Sequence, residues 1–211
     1  MAIVHTQVAY ILHRRDYRET SSIIELLTRD HGRIALIARG SRGKKSRIAG
    51  SLMQFKPLLI SWQGRGGLPY MNSVERADLA PPVLVGKALY SAMYVNELLM
   101  YLLQRHDVHE GLFETYHECL YQLAEGRIET ALRSFELSLL ALLGFALNIE
   151  HEAESSVPPS ADVDYLYIPE YGLVKRAEPE QQAVAESVST YGKGVLVSGR
   201  CITYLQQGGV E

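Results

Sequence analysis

The sequence is poor in cysteine and in long apolar runs, and each shortage excludes a class of protein. Its 211 residues contain two cysteines, Cys119 and Cys201, too few for a disulfide framework or a four-thiolate zinc site. No apolar run reaches the ~18 residues that a transmembrane helix needs. The N-terminus also lacks the basic start and long apolar core of a signal peptide. These absences predict a cytoplasmic protein.

Catalytic motifs are missing as well. No G-x-S-x-G elbow is present. The segment Gly43-Lys44-Lys45-Ser46 resembles the end of a phosphate-binding nucleotide loop, but Ala38 stands where that motif needs its first glycine and a second lysine precedes Ser46. His106 and His109 have a metal-chelating spacing without further ligands, so a polar loop explains them better. We therefore predict no enzyme, no metal and no cofactor.

Acidic residues are absent from the whole stretch between Asp30 and Glu75. Residues 1–80 carry 13 lysines and arginines against 6 acids, net +7, whereas the remainder carries 8 against 18, net −10, giving −3 for the chain. Opposite charge in the two parts indicates different partners. The basic part is the candidate for binding nucleic acid.

Glycine-rich turns separate five runs of β-branched and aromatic residues in this basic part. We predict strands at residues 7–12, 22–28, 33–38, 52–62 and 70–77, with Pro57 at an edge or a bulge. Five short strands with such turns indicate a small β-barrel or sandwich. The positive charge favours a five-stranded barrel of the oligonucleotide-binding (OB) fold.

Helical spacing of apolar residues begins after Pro81-Pro82. We predict a bundle of three helices, over about residues 84–103, 110–124 and 128–144. A Pro/Ser-rich loop, a hairpin of strands 165–168 and 172–175, and short helices at 180–190 and 200–206 follow. The predicted fold class is α+β: an OB-fold β-barrel in residues 1–80 and a helical domain in residues 81–211, with a small irregular or β insertion at 150–176.

A basic loop directly follows the third predicted strand. Its glycines and serines allow a close approach of another backbone, which suits a polyanion whose phosphates supply most of the affinity. The alternative is a loop kept basic for solubility. The predicted phosphate contacts in the loop are Arg39, Arg42, Lys44, Lys45 and Arg47.

Two further groups could extend this surface. Arg14 and Arg15, with Arg18, follow the first predicted strand and add positive charge. Binding of single strands also needs aromatic platforms for the bases. The aromatic residues of the barrel region are Tyr10, Tyr17, Trp62 and Tyr70, and we select Trp62, for which a core position and a stacking position stay equally open.

Four segments, read together, resemble the RecO family of bacterial DNA-repair recombination mediators. They are YILHRRDYRETSSIIELLTRDHGRIALIARGSRGKKSRIAGSLMQFKP, GRGGL, LYSAMYVNELL and ALRSFELSLLALLGF. The resemblance covers about residues 7–150. It implies an OB-fold barrel followed by a helical domain, and a non-enzymatic protein of RecF-type recombinational repair. Such a protein binds single- and double-stranded DNA, anneals complementary strands, and works with single-stranded DNA-binding protein and RecR to load RecA. We therefore expect association with the bacterial nucleoid.

The resemblance also implies a site for a partner's tail. Arg133 matches a family position that holds the acidic C-terminal tail of single-stranded DNA-binding protein. Leu143 is the candidate pocket wall, and Arg127 could assist. Without the resemblance, Arg133 reads as a surface arginine paired with Glu129 or Glu136 across helix turns.

In two respects the sequence departs from the family pattern. Some members carry a four-cysteine zinc site that two cysteines cannot build, and many continue into a basic C-terminal helix that is not found before Glu211. Two other interpretations stay open. One is a protein-interaction adaptor, and the other is an RNA-binding OB-fold protein.

Overall fold

The structure is a computed structural model that describes residues 2–43, 46, 48–64, 67–176 and 194–207. The chain forms two compact units, residues 1–132 and 133–211. The predicted α+β fold class is confirmed. The helix predicted at residues 180–190 lies outside the described residues.

Five strands form a closed barrel in the first unit, in the order β1-β2-β3-β5-β4. The strands are β1 Ala2–Tyr17, β2 Ser21–Thr28, β3 Gly32–Ala38, β4 Leu58–Gly64 and β5 Tyr70–Arg76. The first part of β1 pairs with β4 and its second part with β2, both antiparallel. Closure is completed by a parallel contact between β3 and β5, where Ile37 pairs with Tyr70.

Strand β1 is longer than predicted at both ends, because it begins at Ala2 rather than at residue 7 and the polar residues His13 to Tyr17 continue it beyond Leu12. Arg14 pairs with Ile24 and Arg15 with Ile23 across the hairpin. Their side chains lie near the end of the barrel, where charge reaches water. The change to polar residues after Leu12 therefore does not mark the end of β1.

All eight residues of β2 are buried, because both of its faces are covered. Ile24 and Leu26 face the barrel interior with Ile34 and Leu36 of β3. On the outer face, Ile23 joins a second apolar cluster. A strand buried on both sides reads as a continuous apolar run, as SSIIELLT does.

Two helices of the first unit, α1 (Lys87–Leu102) and α2 (Leu112–Ala124), pack on the outside of β1. Tyr10 meets Phe113 and Tyr116 of α2 with ring centroids 5.5 and 5.1 Å apart. The hydroxyl of Tyr116 donates to Asn96 Oδ1 at 2.7 Å, and Asn96 donates to the Leu12 carbonyl at 2.9 Å. These buried polar groups fix α1 and α2 on the barrel.

A buried ion pair joins the end of α1 to the barrel. Glu25 of β2 accepts hydrogen bonds from Arg33 and Arg105, and Arg33 also donates to the carbonyls of Met100 and Leu103. Those carbonyls would otherwise lack partners, since they end the helix. Residues 104–109 pass directly over the β2–β3 turn.

The second unit contains a three-stranded sheet in the order β7-β6-β8. Its strands are β6 Asp164–Ile168, β7 Gly172–Lys175 and β8 Val195–Ser198, and α4 spans Gly199–Gln206. Tyr165, Leu173 and Ile202 form its core. The hairpin and the helix after residue 200 are confirmed, whereas β8 was not predicted. Helix α3 (Ile128–Leu142) begins in the first unit and ends in the second.

Candidate nucleic-acid interface

The basic loop leaves β3 from a fixed point. Ser41 is 1% exposed, and its Oγ lies 2.9 Å from both the Ala38 carbonyl oxygen and Ser22 Oγ. Arg14 donates from Nη2 to the Ser41 carbonyl at 3.0 Å and from Nε to Ser22 Oγ at 3.1 Å. Arg14 therefore holds the start of the loop, a role that the sequence did not reveal.

Arg42 ties the loop to the β1–β2 turn. Its backbone N–H donates to the Thr20 carbonyl at 3.0 Å, and its guanidinium donates to the Arg18 carbonyl at 2.9 Å. The same guanidinium lies 2.9 Å from the carboxylate of Asp16. Asp16 compensates part of the positive charge of Arg42, a pairing that arises because the loop after β3 contacts the end of β1. Lys44, Lys45 and Arg47 lie outside the described residues.

Arg15 and Arg39 are the exposed cations of the predicted set that, among the described residues, pair with no acid. The Arg39 guanidinium carbon lies 3.8 Å from the centroid of the Tyr70 ring, a close cation–π contact. Both arginines lie at the same end of the barrel as Ser41. Their charge is available to an anion approaching that end.

Trp62 lies in the barrel core. It is 7% exposed, packs with the interior cluster, and meets His31 edge-on with ring centroids 5.3 Å apart. Of the two positions left open for it, the structure favours the core, because a buried ring cannot stack on a base. Tyr17 and Tyr70 are instead half-exposed on the outside of the barrel.

The three residues of the predicted tail site fall in different units. Arg133 and Leu143 belong to the second unit and Arg127 to the first. Arg133 is exposed and pairs with Glu136 at 2.6 Å, one of the two pairings that the sequence suggested. Leu143 is half-buried, and Phe145 nearby in the chain is 69% exposed. Arg127 pairs with Glu125 at 2.5 Å.

Among the described residues, no group of three or more His, Cys, Asp or Glu side chains could hold a metal ion. Cys119 is buried, Cys201 is exposed, and neither forms a disulfide. No helix within the described ranges is long and apolar enough to cross a membrane.

Comparison with known proteins identifies the family. The model of the family "Recombination protein O N terminal" matches residues 1–80, and that of "Recombination protein O C terminal" matches residues 85–192. The chain belongs to the RecO family. Together the two matches cover both the barrel with its basic loop and most of the remaining chain.

Relatives named "DNA repair protein RecO" are found in several bacteria. That of Coxiella burnetii strain RSA 493 is 44% identical over 181 residues, covering 86% of this chain and 78% of the relative. That of Methylococcus capsulatus is 52% identical over 148 residues, 70% of this chain and 61% of the relative. That of Aromatoleum aromaticum is 40% identical over 178 residues, 84% and 74% of the two chains. Membership of the RecO family supports a role in DNA repair and recombination.

Proposed function

We propose that this RecO family member is a non-enzymatic recombination mediator of the cytoplasm and nucleoid. It binds single- and double-stranded DNA at the end of its barrel and anneals complementary strands. The observation that carries the proposal is the position of Arg15 and Arg39, exposed and without acidic partners among the described residues, beside the start of the basic loop. By sequence, Lys44, Lys45 and Arg47 continue this charge.

The physical basis is neutralisation of phosphate charge. Cations that contact a DNA backbone release its bound counterions, so affinity falls as salt rises. When one surface neutralises two strands, it lowers the repulsion that opposes their pairing. Annealing therefore follows from the same charges, without any catalytic group.

The test is fluorescence anisotropy of a labelled single-stranded DNA across a salt series. Replacing Arg39, Arg42, Lys44, Lys45 and Arg47 by alanine should weaken binding about tenfold or more and flatten the salt dependence. The control variant removes three exposed cations elsewhere, Lys87, Arg176 and Arg200. It should bind almost as the wild type does.

Each alternative predicts a different result. Salt-insensitive or absent DNA binding would favour a protein adaptor. Preference for an RNA oligonucleotide over DNA of equal length would favour an RNA-binding protein. Steep salt dependence that survives the five substitutions would place the DNA site elsewhere on the chain.

For the second unit, we propose that Arg133 receives the C-terminal carboxylate of single-stranded DNA-binding protein, and that Leu143, further along the chain, contacts an apolar side chain of the same tail. RecR completes the assembly that loads RecA. The requirement is a cation and an apolar surface within reach of one tail. Arg133 supplies the cation, and Leu143 with the exposed Phe145 supplies apolar surface just after the end of the same helix, about 15 Å along its axis. Glu136, paired with Arg133, would compete with the incoming carboxylate.

Calorimetry with an acidic peptide that ends in phenylalanine tests this site. Arg133→Ala should abolish binding, while Glu136→Gln should tighten it because the competing carboxylate is removed. The matched ligand is the same peptide with an amidated C-terminus, which should bind weakly. Equal affinity for both peptides would refute recognition of the carboxylate.

A further inference from the structure

The outer face of the barrel carries a half-exposed apolar patch next to the basic loop. Ile23, Ala35 and Ile37 form its buried floor, and Tyr17, Leu68 and Tyr70 pack over them. Both tyrosines keep part of their surface in water. We refer to Tyr17, Leu68 and Tyr70, with Arg15, Arg18 and Arg39 around them, as the outer patch.

The strand register places the outer patch in one row. Arg15 pairs with Ile23, Ile23 with Ile37, and Ile37 with Tyr70, so these four residues cross β1, β2, β3 and β5 on one face. With strands about 4.8 Å apart, the row is about 14 Å long. Tyr17 lies two residues further along β1 and therefore on the same face. Arg39 follows the end of β3, and its guanidinium lies over Tyr70 of the same row.

Cations accompany both aromatic rings. Arg39 lies over Tyr70 at 3.8 Å, and the Arg18 guanidinium carbon lies 5.1 Å from the Tyr17 centroid. A guanidinium plane is itself a surface on which nucleobases stack. None of Arg15, Arg18 and Arg39 pairs with an acid in the part of the chain that the structure describes.

The other half of the same face is closed. There Glu25 and Arg33 hold the end of α1, and residues 104–109 pass so close that a Cβ on Gly32 would lie 2.0 Å from the Asp107 carbonyl oxygen. The outer patch is thus the open remainder of the β2–β3 face, and it borders the basic loop.

We infer that the outer patch is a stacking site for unpaired nucleobases, with Tyr17 and the Arg39–Tyr70 pair as its two platforms. The inference rests on the proposed DNA binding and deepens it by naming the part of the DNA that the site contacts, the faces of unpaired bases. Aromatic rings flanked by cations fit a base and its phosphate together. A duplex hides its base faces, so the site discriminates single strands from duplexes.

The test uses the full chain with Tyr17→Leu/Tyr70→Leu, since leucine keeps the apolar floor covered but offers no ring. Anisotropy should show a loss of about 5- to 150-fold per platform for an oligothymidylate. Affinity for a duplex of equal length should change less than about twofold, and the salt slope should stay the same because no charge is removed. Tyr17→Phe/Tyr70→Phe should retain wild-type binding.

The control removes two tyrosines elsewhere, Tyr90→Leu/Tyr101→Leu on α1, which are 72% and 80% exposed and should leave binding unchanged. A second measurement needs no variant: an oligonucleotide with abasic sites should bind the wild type as weakly as the leucine variant binds the intact one. If binding depends on salt but changes neither with the tyrosine substitutions nor with abasic sites, the inference is overturned and the proposed function stands. Absence of any DNA binding by the wild type would refute both.

Discussion

The guanidinium of Arg14 donates to the backbone carbonyl of Ser41 at 3.0 Å, at the point where the basic loop leaves β3. Arg14 also donates from Nε to Ser22 Oγ, so the edge of its guanidinium that carries Nε and Nη2 is engaged inside the protein. The neighbouring Arg15 is exposed. Adjacent arginines therefore have different surroundings, and the bonds of Arg14 hold the start of the loop.

Substitution by lysine separates the hydrogen bonds of Arg14 from its charge. Lys at position 14 keeps the charge but cannot reach both Ser22 and Ser41, because it lacks the planar fork. We expect Arg14→Lys to destabilise the protein by about 1–3 kcal/mol in urea unfolding and to weaken DNA binding nearly as much as Arg14→Ala. Arg15→Lys is the control and should retain stability and binding. Wild-type behaviour of Arg14→Lys would contradict the positioning role.

The guanidinium of Arg39 supplies both a positive charge and a planar group that lies over the Tyr70 ring. Arg39→Lys should weaken binding of single strands several-fold without changing the salt slope, because one charge remains but the stacked plane is lost. Arg39→Ala should weaken it further and reduce the slope by roughly 0.7, the value for one lost phosphate contact on a single strand. Anisotropy over a salt series measures both quantities. Wild-type binding by Arg39→Lys would mean that only the charge matters, and identical behaviour of the two variants would mean that only the plane matters.

The sequence was sufficient to predict that five strands form the barrel, because alternation and glycine turns are local signals. It did not give all their bounds, since β1 is Ala2–Tyr17 rather than 7–12 and β4 begins at Leu58 rather than at residue 52. It could not reveal which aromatic side chain faces water. A register shift lies between Ile11 and His13, and barrel closure decides that Trp62 points inward. Tyr17 and Tyr70 meet on one face only through the pairing of four strands.

Strand β8 was missed for a similar reason. Val195–Ser198 is four residues long and pairs with β6, about 30 positions earlier in the chain, so no hairpin turn marks it. In the same way, the pairing of Asp16 with Arg42 depends on contact between the β1–β2 turn and the loop. Contacts between residues distant in sequence decide such details, and composition does not encode them.

Glu25 contributes stability that depends on pH. Burial raises the pKa of its carboxyl, but hydrogen bonds from Arg105 and Arg33 outweigh burial and hold the pKa below its ordinary value. A lowered pKa in the folded state means that the contribution is present above about pH 4.3 and is lost as pH falls through the folded-state pKa. Glu25→Gln should therefore cost about 2–4 kcal/mol at pH 7.

Urea unfolding of wild type and Glu25→Gln at pH 7 and at pH 3 tests this expectation. The difference in unfolding free energy should shrink at the lower pH, because below its ordinary pKa the carboxyl binds a proton more readily in the unfolded chain than in the folded protein. Glu114→Gln is the control, since Glu114 pairs with Arg29 at the surface and should cost under about 1 kcal/mol. A difference for Glu25→Gln that does not vary with pH would refute the ionic explanation.

The hydroxyl of Tyr116 is needed to satisfy Asn96. Both residues are buried, and Tyr116→Phe leaves Asn96 Oδ1 without its 2.7 Å donor. We expect a loss of about 1–3 kcal/mol in the free energy of unfolding, the cost of a buried unsatisfied polar group. Tyr101→Phe, on the exposed face of α1, should be neutral. A neutral Tyr116→Phe would mean that another donor, such as water, reaches Asn96.

In the second unit, Tyr165 links the sheet to the preceding loop. Its buried hydroxyl donates to Glu152 at 3.0 Å and accepts from the Ser160 backbone N–H at 2.8 Å. Tyr165→Phe removes both bonds, although Lys175 still pairs with Glu152 at 3.0 Å. We therefore expect about 1–3 kcal/mol less protection of the β6 and β7 amides in hydrogen exchange. Tyr171→Phe, at the exposed hairpin turn, is the control, and equal exchange in both variants would show that the hydroxyl does not stabilise this sheet.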